Sequence, residues 1–335
     1  MQVFVTGGTG LLGSNLVSAL ESGGHEVIAL VRSCARAKRL LSRCRAELVE
    51  GDLTDIRTFV PALEGCDAIC HTAAYHREFY TGARNHDADL ERINVEGTRQ
   101  LLHAAETHSV PRFVHISSCG VLGMMPNGEP GDEDTPPLPM ELANAYFVSK
   151  LRTDEAVRDF VREHPQPEVV TIIPAWMLGP GDAAPSPGGR MVLDFLARKV
   201  PGVMDGGQCL VDARDVAQSV VSALDRDASG RYVVAGHYRA VGEIFASLER
   251  VTGVRAPRLR LPYAVLMAYA FISETYGRIT RRPVLLRPAG ARALHAKLSW
   301  RSDKAIRELD VSFRPLDETM RDTVQWFRDH GMTTV

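Results

Sequence analysis

Gln2-Val3-Phe4-Val5-Thr6 is a short apolar strand that runs directly into Gly7-Gly8-Thr9-Gly10-Leu11-Leu12-Gly13. Gly7, Gly10 and Gly13 fall three apart, and an apolar-periodic segment with Leu16 and Leu20 follows. Strand, glycine turn and helix in this order narrow the possible fold more than any other feature. Glycine permits a tight turn and a close backbone approach to a pyrophosphate. The helix that opens there aims free N–H groups and its positive end at that phosphate. A glycine triplet alone is also met in plain structural turns. The strand before it, the helix after it and its place at the N-terminus make it a dinucleotide-binding signature. Its candidate contacts are Gly7, Thr9, Gly10, Leu11, Leu12 and Gly13.

A second strand, His25-Glu26-Val27-Ile28-Ala29-Leu30-Val31-Arg32, follows the helix stop at Gly23-Gly24. An acid at the end of this strand binds the adenosine ribose diol of NAD, whereas an arginine favours the 2′-phosphate of NADP. Val31 stands where the acid is expected and Arg32 comes directly after it, with Arg36 and Lys38 just downstream. The guanidinium fork matches phosphate geometry. The plain alternative is a solvated basic turn. NADP(H) is the favoured cofactor and NAD(H) stays open.

Strand patterns at 2–6, 26–31, 46–50, 68–71, 112–117 and 169–174 alternate with helical patterns near 11–22, 55–64, 90–108 and 144–163. Such alternation predicts an α/β fold, a doubly wound parallel sheet of the Rossmann type with helices on both faces. Gly51-Asp52-Leu53-Thr54-Asp55 closes the third strand. Asp55 is an N-cap candidate; Asp52 either reaches the adenine amine or caps its own turn. His71-Thr72-Ala73-Ala74 ends the fourth strand on small residues, which leaves room for a ligand at the carboxyl edge. After about residue 175, Pro-Gly-rich segments at 179–182 and 185–189 signal a crossing into a second lobe. A helix over 211–224, a strand over 231–235 and a largely helical remainder follow. The expected division is a dinucleotide-binding domain of 1–178, joined by 209–236, and a smaller, mostly helical substrate lobe of 179–208 and 237–335. A length of 335 residues and 45% hydrophobic content suit that plan.

A net charge of −2 argues against a nucleic-acid surface. The six cysteines, at 34, 44, 66, 70, 119 and 209, show no paired CxxC spacing. They read as reduced thiols of a cytoplasmic protein, with no metal site. The first residues already form a core strand, so no secretory leader is expected. The longest apolar run, Tyr263 to Ile272, is too short to cross a bilayer. It reads as a buried lobe helix ending in the solvated Arg278, Arg281 and Arg282. The sharper alternative is a peripheral membrane contact.

Tyr146 and Lys150 lie four apart on a predicted helix, hence on one face. Upstream, the strand ending His115-Ile116-Ser117-Ser118 brings a hydroxyl to the edge that faces the glycine loop. Hydride transfer to a carbonyl develops charge on its oxygen. A phenol can supply the proton, but its ordinary pKa near ~10 is too high near neutrality. A neighbouring ammonium favours the phenolate and lowers it. A serine hydroxyl can donate a second hydrogen bond to the same oxygen. Ser118, Tyr146 and Lys150 are therefore the catalytic candidates. Taken singly, each has an ordinary structural reading as strand-end cap, packed aromatic or helix charge.

Gly7 to Gly13, Gly51-Asp52-Leu53, Ser117-Ser118 and Tyr146-x-x-x-Lys150 together resemble the extended short-chain dehydrogenase/reductase superfamily, also called the NAD-dependent epimerase/dehydratase family. The resemblance covers nearly the whole chain. Asn94-Val95-Glu96-Gly97-Thr98 is similar to its helix near the active site, and Pro174 to Gly181 to its loop over the nicotinamide. Val31-Arg32 resembles the dihydroflavonol reductase branch. The stretches 187–195 and 210–217 resemble bacterial hopanoid-associated epimerases. The resemblance implies that Tyr146 is the acid/base and that Lys150 also holds the nicotinamide ribose. It implies that Ser118, five residues before Gly123, faces the substrate carbonyl. It adds Asp52, Leu53, Thr72, Ala73, Ala74, Asn94, Ser117, Pro174 and Met177 as cofactor contacts, and a homodimer. One departure is Leu122, where many sugar-nucleotide enzymes of the superfamily carry tyrosine.

His76, Phe79 and Tyr80, after the fourth strand, join Met124, Met125, Trp176, Met177 and Phe195 as candidate pocket residues. An apolar pocket suits a hydrophobic ketone or aldehyde better than a diphosphate sugar. Arg190, Arg214 and Arg258 are the candidates for a nucleotide-sugar clamp, each with a plain reading as a surface charge. The favoured expectation is an NADP(H)-dependent oxidoreductase of such a carbonyl compound. Its rivals are a nucleotide-sugar epimerase or dehydratase with tightly bound NAD(P), and a non-catalytic NADP-binding protein.

Overall fold

The first strand, β1 (Gln2–Thr6), sends alternate side chains into two separate cores. The computed structural model describes residues 1–76, 86–123, 125, 128–140, 143–280 and 288–335. After β1 come α1 (Leu11–Ser22), β2 (Glu26–Val31), the short α2 (Cys34–Leu40), β3 (Glu47–Glu50) and β4 (Ala68–His71). A helix in three parts follows: α3 (Asp87–Leu90), a π-helical segment Glu91–Glu96, and α4 (Gly97–Thr107). Next are β5 (Arg112–Ile116), α5 (Ala145–Glu163), β6 (Glu168–Pro174), β7 (Trp176–Leu178) and α6 (Pro187–Leu196). Then come β8 (Gly207–Asp212), α7 (Ala213–Asp225), β9 (Gly230–Val234) and β10 (His237–Ala240). The rest is α8 (Val241–Thr252), α9 (Tyr263–Thr280), α10 (Pro288–His295), α11 (Asp303–Leu309) and α12 (Leu316–Asp329).

Seven strands form one parallel sheet in the order β3-β2-β1-β4-β5-β6-β9. Val3 and Val5 face Leu12, Leu16 and Leu20 of α1 and Val216, Val220 and Leu224 of α7. Phe4 faces the other way, toward Leu101 and Leu102 of α4 and Phe160 of α5, and stacks on Phe59 at 5.8 Å. Both faces of the strand are buried, which is why it reads as a continuous apolar run. Chain order reverses between β1 and β4, so the crevice opens beyond their carboxyl ends.

The helix expected over 55–64 is instead two 3₁₀ turns, Ile56–Thr58 and Val60–Leu63. Pro61 lacks the N–H a continuous helix would need there. Asp55 does cap the first turn, accepting from the Arg57 N–H. The helix expected from residue 211 starts at Ala213, because 211 and 212 finish β8. β8 pairs with β7 and β10 in a second, three-stranded sheet.

The lobe core gathers Leu178, Phe195, Phe245, Leu248, Leu266 and Phe327. α12 is fastened across it. The Thr319 hydroxyl donates to Asp212 at 2.8 Å, and Arg214 bridges Asp212 and Asp322 at 2.7 and 2.6 Å. Arg314, just before α12, pairs with Asp215. Ala305 and Leu309 of α11 pack into the core shared by α1 and α7. Among the described residues no helix is long and apolar enough to cross a membrane. All six cysteines are free thiols.

Candidate active site

The loop after β1 is shaped by approaches that only glycine allows. Gly7 sits at φ 71°, and a Cβ there would stand 2.9 Å from the Ala73 backbone. A Cβ on Gly13 would lie 2.1 Å from the Gly7 carbonyl oxygen. The Gly10 N–H donates to that same oxygen at 2.9 Å, and Gly10 then caps α1 with no side chain. The first N–H groups of α1, on Leu11 and the buried Leu12 after Thr9 and Gly10, thus keep no side-chain acceptor. A cradle that a Cβ would fill, beneath an open helix N-terminus, fits a dinucleotide pyrophosphate. The Asn15 amide donates to the Pro180 carbonyl at 2.8 Å. Gly181, at φ 95°, lies so close to Ser14 that a Cβ would be 2.5 Å from its Oγ. These contacts hold the segment that carries Pro174 and the half-buried Met177 beside the start of α1.

β2 ends on the buried Val31, and the exposed Arg32 that follows makes no hydrogen bond or ion pair among the described residues. Asp52 accepts the Thr54 N–H at 2.9 Å through one oxygen, the turn-capping arrangement. Leu53 is buried, against Gly97.

At the end of β4 a buried polar chain ties three elements together. Thr98 donates its hydroxyl proton to the Asn94 carbonyl at 2.6 Å. Its contact with His71 Nε2 at 3.0 Å therefore takes the proton from the imidazole. That assigns the His71 proton to Nε2 and leaves Nδ1 to accept from the Thr6 hydroxyl at 2.8 Å. Thr72 donates to the Thr6 carbonyl at 2.6 Å, and Thr6 Oγ1 accepts the Ala73 N–H at 3.2 Å. Ala74 is exposed. Asn94 is buried and fully engaged: Oδ1 accepts the Tyr75 N–H, and its amide donates to the Tyr75 carbonyl and to Ser149 Oγ. It lies in the π-helical segment, where the altered register leaves its carbonyl to take the Thr98 and Thr153 hydroxyls.

α5 begins at Asn144, whose side chain accepts the Phe147 N–H at 2.8 Å. Tyr146, Lys150 and Asp154 then follow one stripe, four residues apart. The buried Lys150 Nζ donates to the Ile116 carbonyl, the last of β5, at 2.8 Å. Burial pushes this ammonium down to about 8, against the opposing charge of Asp154. Asp154 accepts from Ser117 Oγ at 2.7 Å and His115 Nε2 at 3.1 Å. Burial pushes its carboxyl up, but the hydrogen bonds from His115 and Ser117 and the charge of Lys150 hold it below the usual range. Ser117 therefore points inward and its hydroxyl is committed. Ser118 is half-buried at the crevice; its Oγ accepts the Gly120 N–H at 3.2 Å and keeps its own proton to donate. A Cβ on Gly120 would overlap the Phe147 ring, so glycine there lets α5 close on this strand end.

The half-buried His76 sets its ring edge-on to Tyr146, with centroids 4.4 Å apart. Burial and the Lys150 charge push its imidazole down to about 4. Met125 is half-buried and receives the Thr135 hydroxyl at 3.4 Å; Trp176 packs against the lobe core. Phe195 stacks on Phe245 inside that core, 5.5 Å between centroids. Phe79, Tyr80 and Met124 lie outside the described residues. Arg190 pairs with Asp194 at 3.2 Å, and Arg214 is held by its two aspartates. His71, His115 and Asp154 are the site residues that sequence reasoning missed. Only Asp154 left a signal there, four positions beyond Lys150.

His71 is buried, and burial holds its imidazole well below the ordinary histidine range; His115 shifts the same way. Folding therefore excludes protons that the unfolded chain takes up below about 6.5. The stability these imidazoles give is present above that pH and is lost as pH falls through it. Between pH 6.5 and 5.5 His71 alone should cost about 1 kcal/mol, with His115 adding in the same direction. Urea midpoints measured across this range should fall, and His71→Gln should flatten the slope. A midpoint independent of pH down to about 5 would count against the neutral assignment.

Residues 3–236 match the model of the NAD dependent epimerase/dehydratase family. Sterol demethylase protein B of Methylococcus capsulatus is 34% identical over 337 residues, covering 99% of this chain and 100% of that protein. A 4-hydroxy-2-methyl-3-oxo-4-farnesyl-3,4-dihydroquinoline-1-oxide ketoreductase of Stigmatella aurantiaca is 30% identical, covering 94% of this chain and 92% of its own. The crystal structure of gox2253 matches with a TM-score of 0.84 at 32% identity, over 99% of both chains.

Proposed function

The chain belongs to the NAD dependent epimerase/dehydratase family, and on that premise we propose that it is an NADP(H)-dependent oxidoreductase interconverting a hydrophobic ketone or aldehyde and its alcohol. The observation that carries this reading is the seating of Lys150: buried, and bonded to the carbonyl that ends β5, two residues before Ser118 and one helical turn from Tyr146. A bound nicotinamide supplies or accepts the hydride. In the reductive direction Tyr146 Oη gives its proton to the substrate oxygen, and Ser118 Oγ donates a hydrogen bond to that oxygen as its charge grows. Lys150 stabilises the phenolate left on Tyr146 and holds the cofactor's ribose. Residues 1–178 with 209–236 carry the cofactor, and the remainder shapes the substrate's place.

The apolar substrate class is supported by the half-buried Met125 and Trp176 among the candidate pocket residues. The names of the two relatives, one of a sterol and one of a farnesylated quinoline, are of the same apolar kind. A sugar-nucleotide substrate needs cations for its diphosphate; of the three clamp candidates Arg190 and Arg214 are already committed to aspartates, which leaves the exposed Arg258 alone. A panel of apolar ketones and aldehydes, followed at the NADPH absorbance, tests the reading. Stoichiometric cofactor oxidation is expected. Conversion of a nucleotide sugar with no net change in cofactor would replace the reading with the epimerase one.

The cofactor choice rests on Arg32, which is exposed just after β2 and makes no ion pair among the described residues. Arg32→Ala should lower affinity for NADP(H) by roughly ten-fold or more while leaving NAD(H) unchanged, since one charged hydrogen-bond pair is worth about 1.5–3 kcal/mol. Titration calorimetry with both cofactors measures it. Equal loss for both would remove Arg32 from the 2′-phosphate.

A further inference from the structure

Seven of the twelve large hydrophobic side chains exposed among the described residues lie on α9 or just before it: Leu259, Val265, Tyr269, Phe271, Ile272, Tyr276 and Ile279. Ile272 and Ile279 are 70% and 78% exposed. Val265, Tyr269, Ile272, Tyr276 and Ile279 recur at alternating spacings of four and three, a single stripe about 21 Å long at 1.5 Å per residue. The opposite face, with Leu266, Ala270 and Gly277, is turned into the protein, and Tyr263 stacks on His295 at 3.9 Å. The helix is thus anchored along one side and apolar on the other. A contiguous apolar surface of this kind marks a site of contact.

We propose that the outer face of α9 lies on the surface of an anionic lipid bilayer, seated in the interface and not spanning it. Charge selects this occupant. Arg255, Arg258 and Arg260 are exposed before the helix, with no ion pair among the described residues. In sequence, Arg278, Arg281, Arg282 and Arg287 mark its other end. No acidic residue is exposed on the stripe between them. Exposed arginines before an apolar face, and a run of arginines that follows it in sequence, match negative headgroups beside acyl chains. It does not match a second copy of this chain. Parallel pairing of two such helices would set arginines on arginines at both ends, and antiparallel pairing would do the same. The proposal is independent of the reaction assigned above.

The test uses the full chain with vesicles of phosphatidylcholine alone and of phosphatidylcholine with phosphatidylglycerol. Cosedimentation is expected with the anionic vesicles, at least about ten-fold weaker with neutral ones, and reduced when salt is raised from low to high. Ile272→Glu with Ile279→Glu, and separately Arg255→Glu with Arg260→Glu, should each weaken it about ten-fold or more. Cofactor affinity and the thermal midpoint should stay unchanged, which shows that the variants fold. Failure of the unmodified protein to bind anionic vesicles overturns the proposal. So does a solution dimer that Ile272→Glu converts to monomer, because the face would then be a self-interface.

Discussion

Tyr146→Phe should cut turnover by roughly 10²–10⁴, the usual worth of a positioned proton donor, and leave the fold and cofactor binding nearly intact. The substitution keeps the ring that meets His76 edge-on and removes only the oxygen. Lys150→Ala should behave differently. It strips a buried donor from the Ile116 carbonyl and removes the counter-charge of Asp154, so it should lower turnover and weaken cofactor binding together. Ser118→Ala should slow turnover with little change in cofactor affinity. The losses should not add, because the three groups serve one oxygen. Pre-steady-state and steady-state kinetics on a verified carbonyl substrate decide it. Full activity in Tyr146→Phe would remove this residue from the chemistry.

The second large effect is expected at Gly13. An alanine there brings a Cβ to 2.1 Å from the Gly7 oxygen and 3.0 Å from Gly8 Cα, so the start of α1 must move off the loop. Overpacking of this sort costs about 1–3 kcal/mol in stability. The greater loss should be in cofactor affinity, about 10²-fold, since shifting a phosphate-binding helix end by an ångström spoils every N–H bond it makes. Gly242→Ala is the matched control: a Cβ there meets nothing within 4 Å, and the helix should gain slightly. Calorimetry with NADPH and thermal melts of both variants give the comparison. Unimpaired NADPH binding by a folded Gly13→Ala protein would show that the dinucleotide does not use this loop.

The contrast between these two sites explains what could be read in advance. The glycine loop and the Tyr146–Lys150 pair are set by spacings within one turn or one helix, so a linear pattern contains them. Strands buried on both faces, such as β1, also announce themselves as apolar runs. The pair of His71 with Thr98, and the set of His115, Ser117 and Asp154, depend on which strand lies beside which helix. Parallel register creates those meetings, and no local pattern encodes it. The second sheet escaped for another reason: β7, β8 and β10 have only three to six residues each, too few to display a period. At 55–64 apolar periodicity suggested a helix, and one proline outweighed it. The π-helical turn around Asn94 could not be anticipated either. Its residues read as ordinary helix, and the departure arises from packing against α5.

The fastening of α12 also bears on the order in which the molecule can be completed during synthesis. Met320, Val324 and Phe327 fill the lobe core, and Arg314 and Thr319 satisfy the buried Asp215 and Asp212. A nascent chain that has delivered everything through β10 still carries Asp215 without Arg314, Asp212 held by Arg214 alone, and an open apolar hollow. The nucleotide-binding sheet has all seven strands by then, whereas the lobe waits for the last segment to leave the ribosome. A stalled chain ending before residue 314 should therefore expose the lobe to proteases while the parallel sheet resists, and release of the final helix should close it in one step.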